Sequence, residues 1–209
     1  MVPYVVAMTG ASGAAYGIRL IRVLVELGHP FALVLSASAR LVIREETGVA
    51  LSGSSSEDFR ALFGPEVPKH TALYAPEDFT APIASGSYPT RGMMVVPCSM
   101  GSLGAIASGL SANLIHRAAA CTLKEGRKLV LVPRETPLHA IHLENMLKLA
   151  RLGVAIVPAM PAFYTGAKDL EGMIDFVVGK VLDQMGIAHG LYPRWTGQNT
   201  EHRLAGETA

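Results

Sequence analysis

Tyr4-Val5-Val6-Ala7-Met8-Thr9-Gly10-Ala11-Ser12-Gly13 is a β-branched apolar run followed at once by glycines and small hydroxyl residues. Five apolar residues are enough for a strand, and from Ala14 to Leu27 the apolar positions recur at helical spacing. Strand, turn and helix are therefore expected in that order. Working outward, Phe31 to Leu35 reads as a second strand, and Ala37 to Glu46 as a helix that stops near Thr47-Gly48. Met93 to Val96, Leu129 to Val132 and Val154 to Val157 supply three more strands. Helix-like sequence separates them, with Leu138 to Leu152 and Leu170 to Met185 the clearest amphipathic segments, the latter opened by the acidic Asp169 and Glu171. Residues 51–71 carry Ser-Gly-Ser-Ser-Ser and Gly-Pro and read as an exposed helix with loops. Strands alternating with crossover helices predict an α/β fold: a single-domain, Rossmann-like, open and mostly parallel sheet with helices on both faces. The whole chain, 1–209, forms that one domain, and the polar residues 196–209 are expected to be a loose tail.

Composition narrows the class. Half of the residues are apolar and 17% are charged, and the mean hydropathy is +0.33, which leaves few charges to coat a lone sphere. Burial between subunits is expected. The formal net charge is +1, from 18 basic and 17 acidic residues with no basic run, so neither nucleic acid nor an anionic membrane is the expected partner. Gly92 to His116 lacks Asp, Glu, Lys and Arg, but its serines, Pro97, Asn113 and glycines argue for strand, loop and buried helix over a membrane span. The N-terminus lacks a basic n-region and passes straight into the strand, so a cytoplasmic protein is expected. Cys98 and Cys121 have no metal-ligand spacing and read as buried small residues. His116, His139 and His142 form no convincing ligand set either, so no metal is predicted.

In a parallel sheet of this kind, ligands sit past the carboxyl ends of the strands. Four segments fall there: Thr9 to Gly13, Ser36, Pro97 to Ser102, and Pro133-Arg134-Glu135-Thr136-Pro137. Gly10-Ala11-Ser12-Gly13 lets backbone N–H groups approach a phosphate, or simply makes a tight βα turn. Its spacing of Gly10, Gly13 and Gly17 misses the dinucleotide fingerprint, and no ribose-binding acid ends the second strand, so a mononucleotide is favoured over NAD. Ser99 and Ser102 around Gly101 serve either a ligand or a helix N-cap. Arg134 suits a phosphate through its bidentate fork, or pairs with Glu135 at the surface. Tyr164, after Pro161-Ala162-Phe163, either closes a pocket or packs in the core. Taken singly, Glu46, Arg117, Lys124 and Lys180 read as solvated helix charges.

Several motifs occur together, in order, between Tyr4 and Trp195: Thr-Gly-Ala-Ser-Gly-Ala at 9–14, Pro-Cys-Ser-Met at 97–100, Val-Pro-Arg-Glu-Thr-Pro at 132–137, His-Leu-Glu-Asn-Met at 142–146, Pro-Ala-Phe-Tyr at 161–164 and Pro-Arg-Trp at 193–195. In them the chain resembles the UbiX-type flavin prenyltransferases, which join a dimethylallyl group from dimethylallyl phosphate to N5 and C6 of reduced FMN. The resemblance implies FMN as cofactor and co-substrate, held by Gly10, Ala11, Ser12, Ser36, Ser99, Met100, Gly101, Ser102 and Arg134. It implies prenyl-phosphate contacts from Tyr164, Lys180, Arg117 and Lys124, with Trp195 as an aromatic wall. Ser12, Glu46, Glu135 and Lys124 are the catalytic set it implies, and a trimer-based homododecamer the assembly. The product, prenylated FMN, would pass to a UbiD-type decarboxylase. Two positions depart from the pattern: lysine stands at 180 where many members have arginine, and glycine at 101 where many have lysine. The rival readings are a flavin-dependent cysteine decarboxylase, whose catalytic histidine and Pro-x-Met-Asn motif are not evident, and a flavin carrier without chemistry of its own.

Overall fold

The computed structural model describes residues 1–51, 56–64, 68–164 and 166–195. Residues 196–209, read above as a loose tail, lie outside the described residues, as do 52–55 and 65–67 within the stretch read as helix and loops. The strands are β1 (Tyr4–Met8), β2 (Phe31–Leu35), β3 (Ala72–Tyr74), β4 (Met93–Cys98), β5 (Leu129–Pro133) and β6 (Ala155–Ile156). The helices are α1 (Ala14–Glu26), α2 (Ala37–Thr47), α3 (Ser56–Phe63), α4 (Met100–Ala107), α5 (Leu114–Lys124), α6 (Ala140–Arg151) and α7 (Leu170–Met185), with a 3₁₀ turn at Pro82–Ala84. All strand pairs are parallel, in the order β3-β2-β1-β4-β5-β6. The chain leaves β1 toward β2 on one side and returns to β4 on the other, so the switch point lies between β1 and β4.

Both faces of the sheet are covered, which is why its central strands are continuous apolar runs without a polar alternation. Side chains still alternate between faces. Val6, Met8, Leu33, Leu35, Met94 and Val130 point toward α1, α2, α3 and α7. Val5, Ala7, Val34, Met93, Val95 and Leu131 point toward Leu103 of α4, Leu114 and Ile115 of α5 and Leu149 of α6. Every residue of β1, β2, β4 and β5 is buried. Cys98 and Cys121 are buried small residues as expected, and burial pushes the Cys98 thiol up to about 12, which removes it from thiolate chemistry at neutral pH.

Two expectations need correction. The segment read as an exposed helix with loops contains α3, which buries Phe59, Leu62 and Phe63; Phe59 stacks on Phe31 with ring centroids 6.0 Å apart. Polar serines before the helix hid an aromatic face. Ala72–Tyr74 was not read as a strand, yet it pairs with β2 at the sheet edge. Three partly buried residues are too few to show a period. Among the described residues, no helix is long and apolar enough to cross a membrane.

Candidate functional site

The loops after β1, β4 and β5 are tied together before any ligand is considered. Thr9 is buried, and its hydroxyl donates to the Pro97 carbonyl at 3.1 Å while accepting from the Ser99 N–H at 2.7 Å. The Arg134 N–H donates to the Cys98 carbonyl at 3.4 Å. These bonds fix the β1 turn, the start of α4 and the Arg134 loop as one rim. Ser99 caps α4 by accepting from Ser102 N–H at 3.3 Å, and Ser36 caps α2 by accepting from Ala39 N–H at 3.0 Å, so one N–H at each helix start is already taken. A Cβ on Gly10 would lie 2.3 Å from Cβ of Ser38, so only glycine lets the β1 turn run this close to α2.

A cleft of about 440 Å³ opens at this rim, within the range of small-molecule sites. Ser12, Gly13, Glu46 and Arg134 line it on the polar side, and Tyr16, Ala159, Leu170 and Ile174 on the apolar side. Ser12, Glu46 and Arg134, singled out from sequence, thus share one cavity. Glu46 does not stand free as a base: its carboxylate accepts from Gly13 N–H at 2.9 Å and Ala14 N–H at 2.7 Å, occupying the positive end of α1. The Gly10–Gly13 turn therefore presents a phosphate with fewer donors than its glycines promise. Ala11 N–H is bound to Thr9 O at 2.9 Å, which leaves the N–H groups of Gly10 and Ser12, beside the capped start of α2. Because Glu46 caps α1, Glu46→Ala should lower the melting temperature by roughly 2–4 °C, read by calorimetry. An unchanged melt would show that water replaces the carboxylate without loss.

Tyr16 was not foreseen. Burial raises its hydroxyl pKa, with Arg134 opposing, so it remains a neutral donor in the cleft. Its signal was only its place four residues after Ser12, one turn into α1. Glu135 is exposed, with its carboxylate on the Thr136 N–H at 3.0 Å. Met100 and Ser102 are partly buried at the start of α4, and Gly101 beside them is exposed with open space where a Cβ would stand.

Farther along α7 lies a second cluster. Tyr164 meets Phe176 and Trp195 edge to face, each at 6.0 Å between ring centroids. The Lys180 ammonium sits 5.4 Å from the Phe176 ring and 5.1 Å from that of Tyr192. A hydrogen bond with Tyr192 raises the Lys180 pKa against a smaller opposing effect of burial, so the ammonium stays charged. Tyr164, Lys180 and Trp195 are thus brought together around Phe176 and Tyr192. Phe176 and Tyr192 are new members.

Arg117 and Lys124 are not brought to this cluster within one chain. Both lie on α5, across the sheet from α7. Arg117 donates from Nε to the Ala84 carbonyl at 2.8 Å, and Lys124 pairs with Glu125 where the chain turns toward the start of β5. A crossover helix runs back from the carboxyl edge of a parallel sheet, so its last residue ends at the edge remote from the rim. Among the described residues, no group of three His, Cys, Asp or Glu side chains is placed to hold a metal.

A Rossmann-like sheet whose rim combines an arginine with a cleft of this size suits a phosphorylated ligand, and the flavoprotein family model matches residues 2–182, which makes the chain a flavoprotein. The flavin prenyltransferase UbiX of Halalkalibacterium halodurans is 51% identical over 202 residues, spanning 95% of this chain and 96% of that protein. That of Aquifex aeolicus is 46% identical, over 91% of this chain and 96% of its own. A crystal structure of AnUbiX in complex with FMN and dimethylallyl pyrophosphate superposes with a TM-score of 0.84 at 43% identity, covering 94% of this chain and 98% of that one. An FMN-dependent Ubix-like decarboxylase of Escherichia coli, described as dodecameric, matches at 0.83 and 45%, over 93% of this chain and 100% of that one. The chain belongs to the UbiX family of flavin prenyltransferases. The cysteine decarboxylase TvaF, at 13% identity and a TM-score of 0.58, shares the fold.

Proposed function

We propose that this protein transfers the dimethylallyl group of dimethylallyl phosphate to reduced FMN, with the flavin in the Ser12–Arg134 cleft and the prenyl phosphate at Tyr164 and Lys180. The observation that carries this reading is a cation set among aromatic rings beside a flavin-sized cleft, with α7 lining the one through Leu170 and Ile174 and building the other through Phe176 and Lys180. Family membership supports it, as do the FMN and dimethylallyl pyrophosphate bound by a relative of 43% identity.

The residues present fit the flavin. Arg134, the N–H groups of Gly10 and Ser12 and the start of α2 offer charge and donors to its phosphate, with Ser36, Ser99, Met100, Gly101 and Ser102 along the rim, and Tyr16 and Ile174 offer apolar surface to its ring. Reduced FMN supplies two nucleophilic centres, N5 and C6. The allylic C–O bond must break with phosphate leaving, which yields a stabilised cation that water would trap. Lys180 and the Tyr164 hydroxyl hold the leaving phosphate, while Phe176 and Trp195, the latter 66% exposed, face the cation with π density. Bonding at N5 would use up the allyl cation and release one proton, and closure at C6 would need a proton added to the prenyl double bond as the C6 proton leaves; Glu135 and Ser12 would carry these protons at the rim, while Glu46 stays engaged on the α1 N–H groups. Arg117 and Lys124 enter this scheme only if a neighbouring subunit carries them to the phosphate. The dodecameric relative supports such an assembly, and 50% apolar composition with exposed Leu143 and Leu147 on α6 and Leu152 just past its end agrees with it. Prenylated FMN would then be handed to a UbiD-type decarboxylase, and the whole sequence of events would take place in the cytoplasm.

Anaerobic incubation with reduced FMN and either dimethylallyl phosphate or the diphosphate, followed by mass analysis of the flavin, tests the reading. A flavin heavier by one prenyl unit is expected, and recovery of unmodified FMN from both incubations refutes it. Glu135→Gln should leave FMN affinity unchanged and lower formation of the ring-closed product at least 100-fold. Undiminished product would remove Glu135 from the proton path.

A further inference from the structure

Residues 187–195 form a strap that folds back along α7, and one carboxylate gathers it. Asp183, three residues after Lys180, accepts from the Tyr192 hydroxyl at 2.5 Å and from both terminal nitrogens of Arg194 at 2.8 and 2.6 Å. His189 Nε2 lies 3.2 Å from the same carboxylate. The Leu191 N–H donates to His189 Nδ1 at 3.2 Å, which leaves the imidazole proton on Nε2, facing Asp183. The strap lies flush because α7 has a glycine beneath it: a Cβ on Gly179 would come within 2.5 Å of Tyr192 and 2.7 Å of His189. Glycine is a poorer helix former than alanine, so this position exchanges helix propensity for contact with the strap.

The strap carries two side chains of the prenyl-phosphate cluster. Tyr192 lies under the Lys180 ammonium, and Trp195 stands edge-on to Tyr164 at 78°. Resting on the function given above, we propose that Asp183 is a positioning residue for prenyl transfer: by binding Tyr192, His189 and Arg194 together it holds the strap, and so sets Tyr192 against Lys180 and Trp195 against Tyr164. The bidentate Arg194 pair also neutralises Asp183, so that its charge does not compete with an incoming phosphate for Lys180. Although burial alone would raise its pKa, Arg194, Tyr192 and His189 bring the Asp183 carboxyl down to about 2, so the clamp stays closed throughout the neutral range.

Two variants test this, Asp183→Asn and Arg194→Met, the second at an exposed side chain whose loss opens no core. Trp195 is the single tryptophan and is 66% exposed, so the anisotropy of its emission, which reports how firmly it is held against Tyr164, reads the strap. Both variants should lower that anisotropy and raise KM for dimethylallyl phosphate about tenfold or more, with kcat changed less and FMN affinity unaltered. Asp183→Glu, which restores the charge, should recover part of the loss. Unchanged anisotropy, or a KM within twofold of the unsubstituted protein, overturns the proposal. Absence of any prenylated flavin from the unsubstituted protein would instead defeat the functional reading, and anisotropy would still decide whether Asp183 holds the strap.

Discussion

Lys180→Met should raise KM for dimethylallyl phosphate on the order of 10–100-fold while leaving FMN affinity and the melting temperature nearly unchanged. The ammonium lies over the Phe176 and Tyr192 rings and keeps its proton through the bond with Tyr192. Asp183, the acid nearest along the helix, is engaged by Arg194, so Lys180 retains attraction for a phosphate. A hydrogen bond to a charged group contributes about 1.5–3 kcal/mol, which converts to the stated range. Methionine keeps the length and the apolar stem, so packing on the rings survives and only the charge is lost. Lys180→Arg is the informative partner: a guanidinium keeps the charge and adds a fork, so KM should stay near its original value or fall. Steady-state kinetics with reduced FMN in excess decides the matter. If the methionine variant holds KM within twofold, the phosphate does not bind at Lys180.

Gly17→Ala should destabilise the protein by about 2–4 kcal/mol, seen as a melting temperature lower by roughly 6–12 °C. The new Cβ would stand 2.3 Å from the Val96 carbonyl oxygen and 2.6 Å from the Met8 terminal methyl. Methionine can swing aside. The β4 backbone, paired with β1 and β5, cannot, so α1 must lift off the sheet. Lifting α1 also displaces Ser12, Gly13 and Tyr16, and FMN affinity should fall with stability. Gly101→Ala is the control: its Cβ meets nothing within 4 Å, and it should leave stability unchanged or raise it by up to about 1 kcal/mol. Equal melting temperatures for the two variants would show that the contact of α1 with β4 is looser than the structure indicates.

Gly17 also shows where reading residues stops. From sequence it appeared only as a glycine out of step with the dinucleotide fingerprint, whereas in the fold it is where helix and sheet come closest. Ser99 is the opposite case: the N-cap role could be read locally, because a serine before an apolar helix accepts from an N–H three residues on whatever surrounds it. Phe59, Leu62 and Phe63 fall between, since their spacing is helical but the serines before them and the Gly-Pro after them masked a buried face. Arg117 and Lys124 look equivalent to Lys180 as helix charges, and only the path of α5 separates them from it.

Local chemistry was sufficient for β1, β2, β4 and β5, for α1, α2, α6 and α7, and for the parallel class of the sheet. Apolar period, turn residues and capping act over a few positions and are therefore written in the chain. The joining of Ser12 with Arg134, the capture of the α1 start by Glu46 and the closing of the strap on Asp183 were settled by packing, because each couples residues that share no period and meet only once the crossover helices have brought the strand ends to one edge. Chain distance carries no information about such meetings, and Tyr16, Tyr192 and Asp183 became visible as parts of the site only through them.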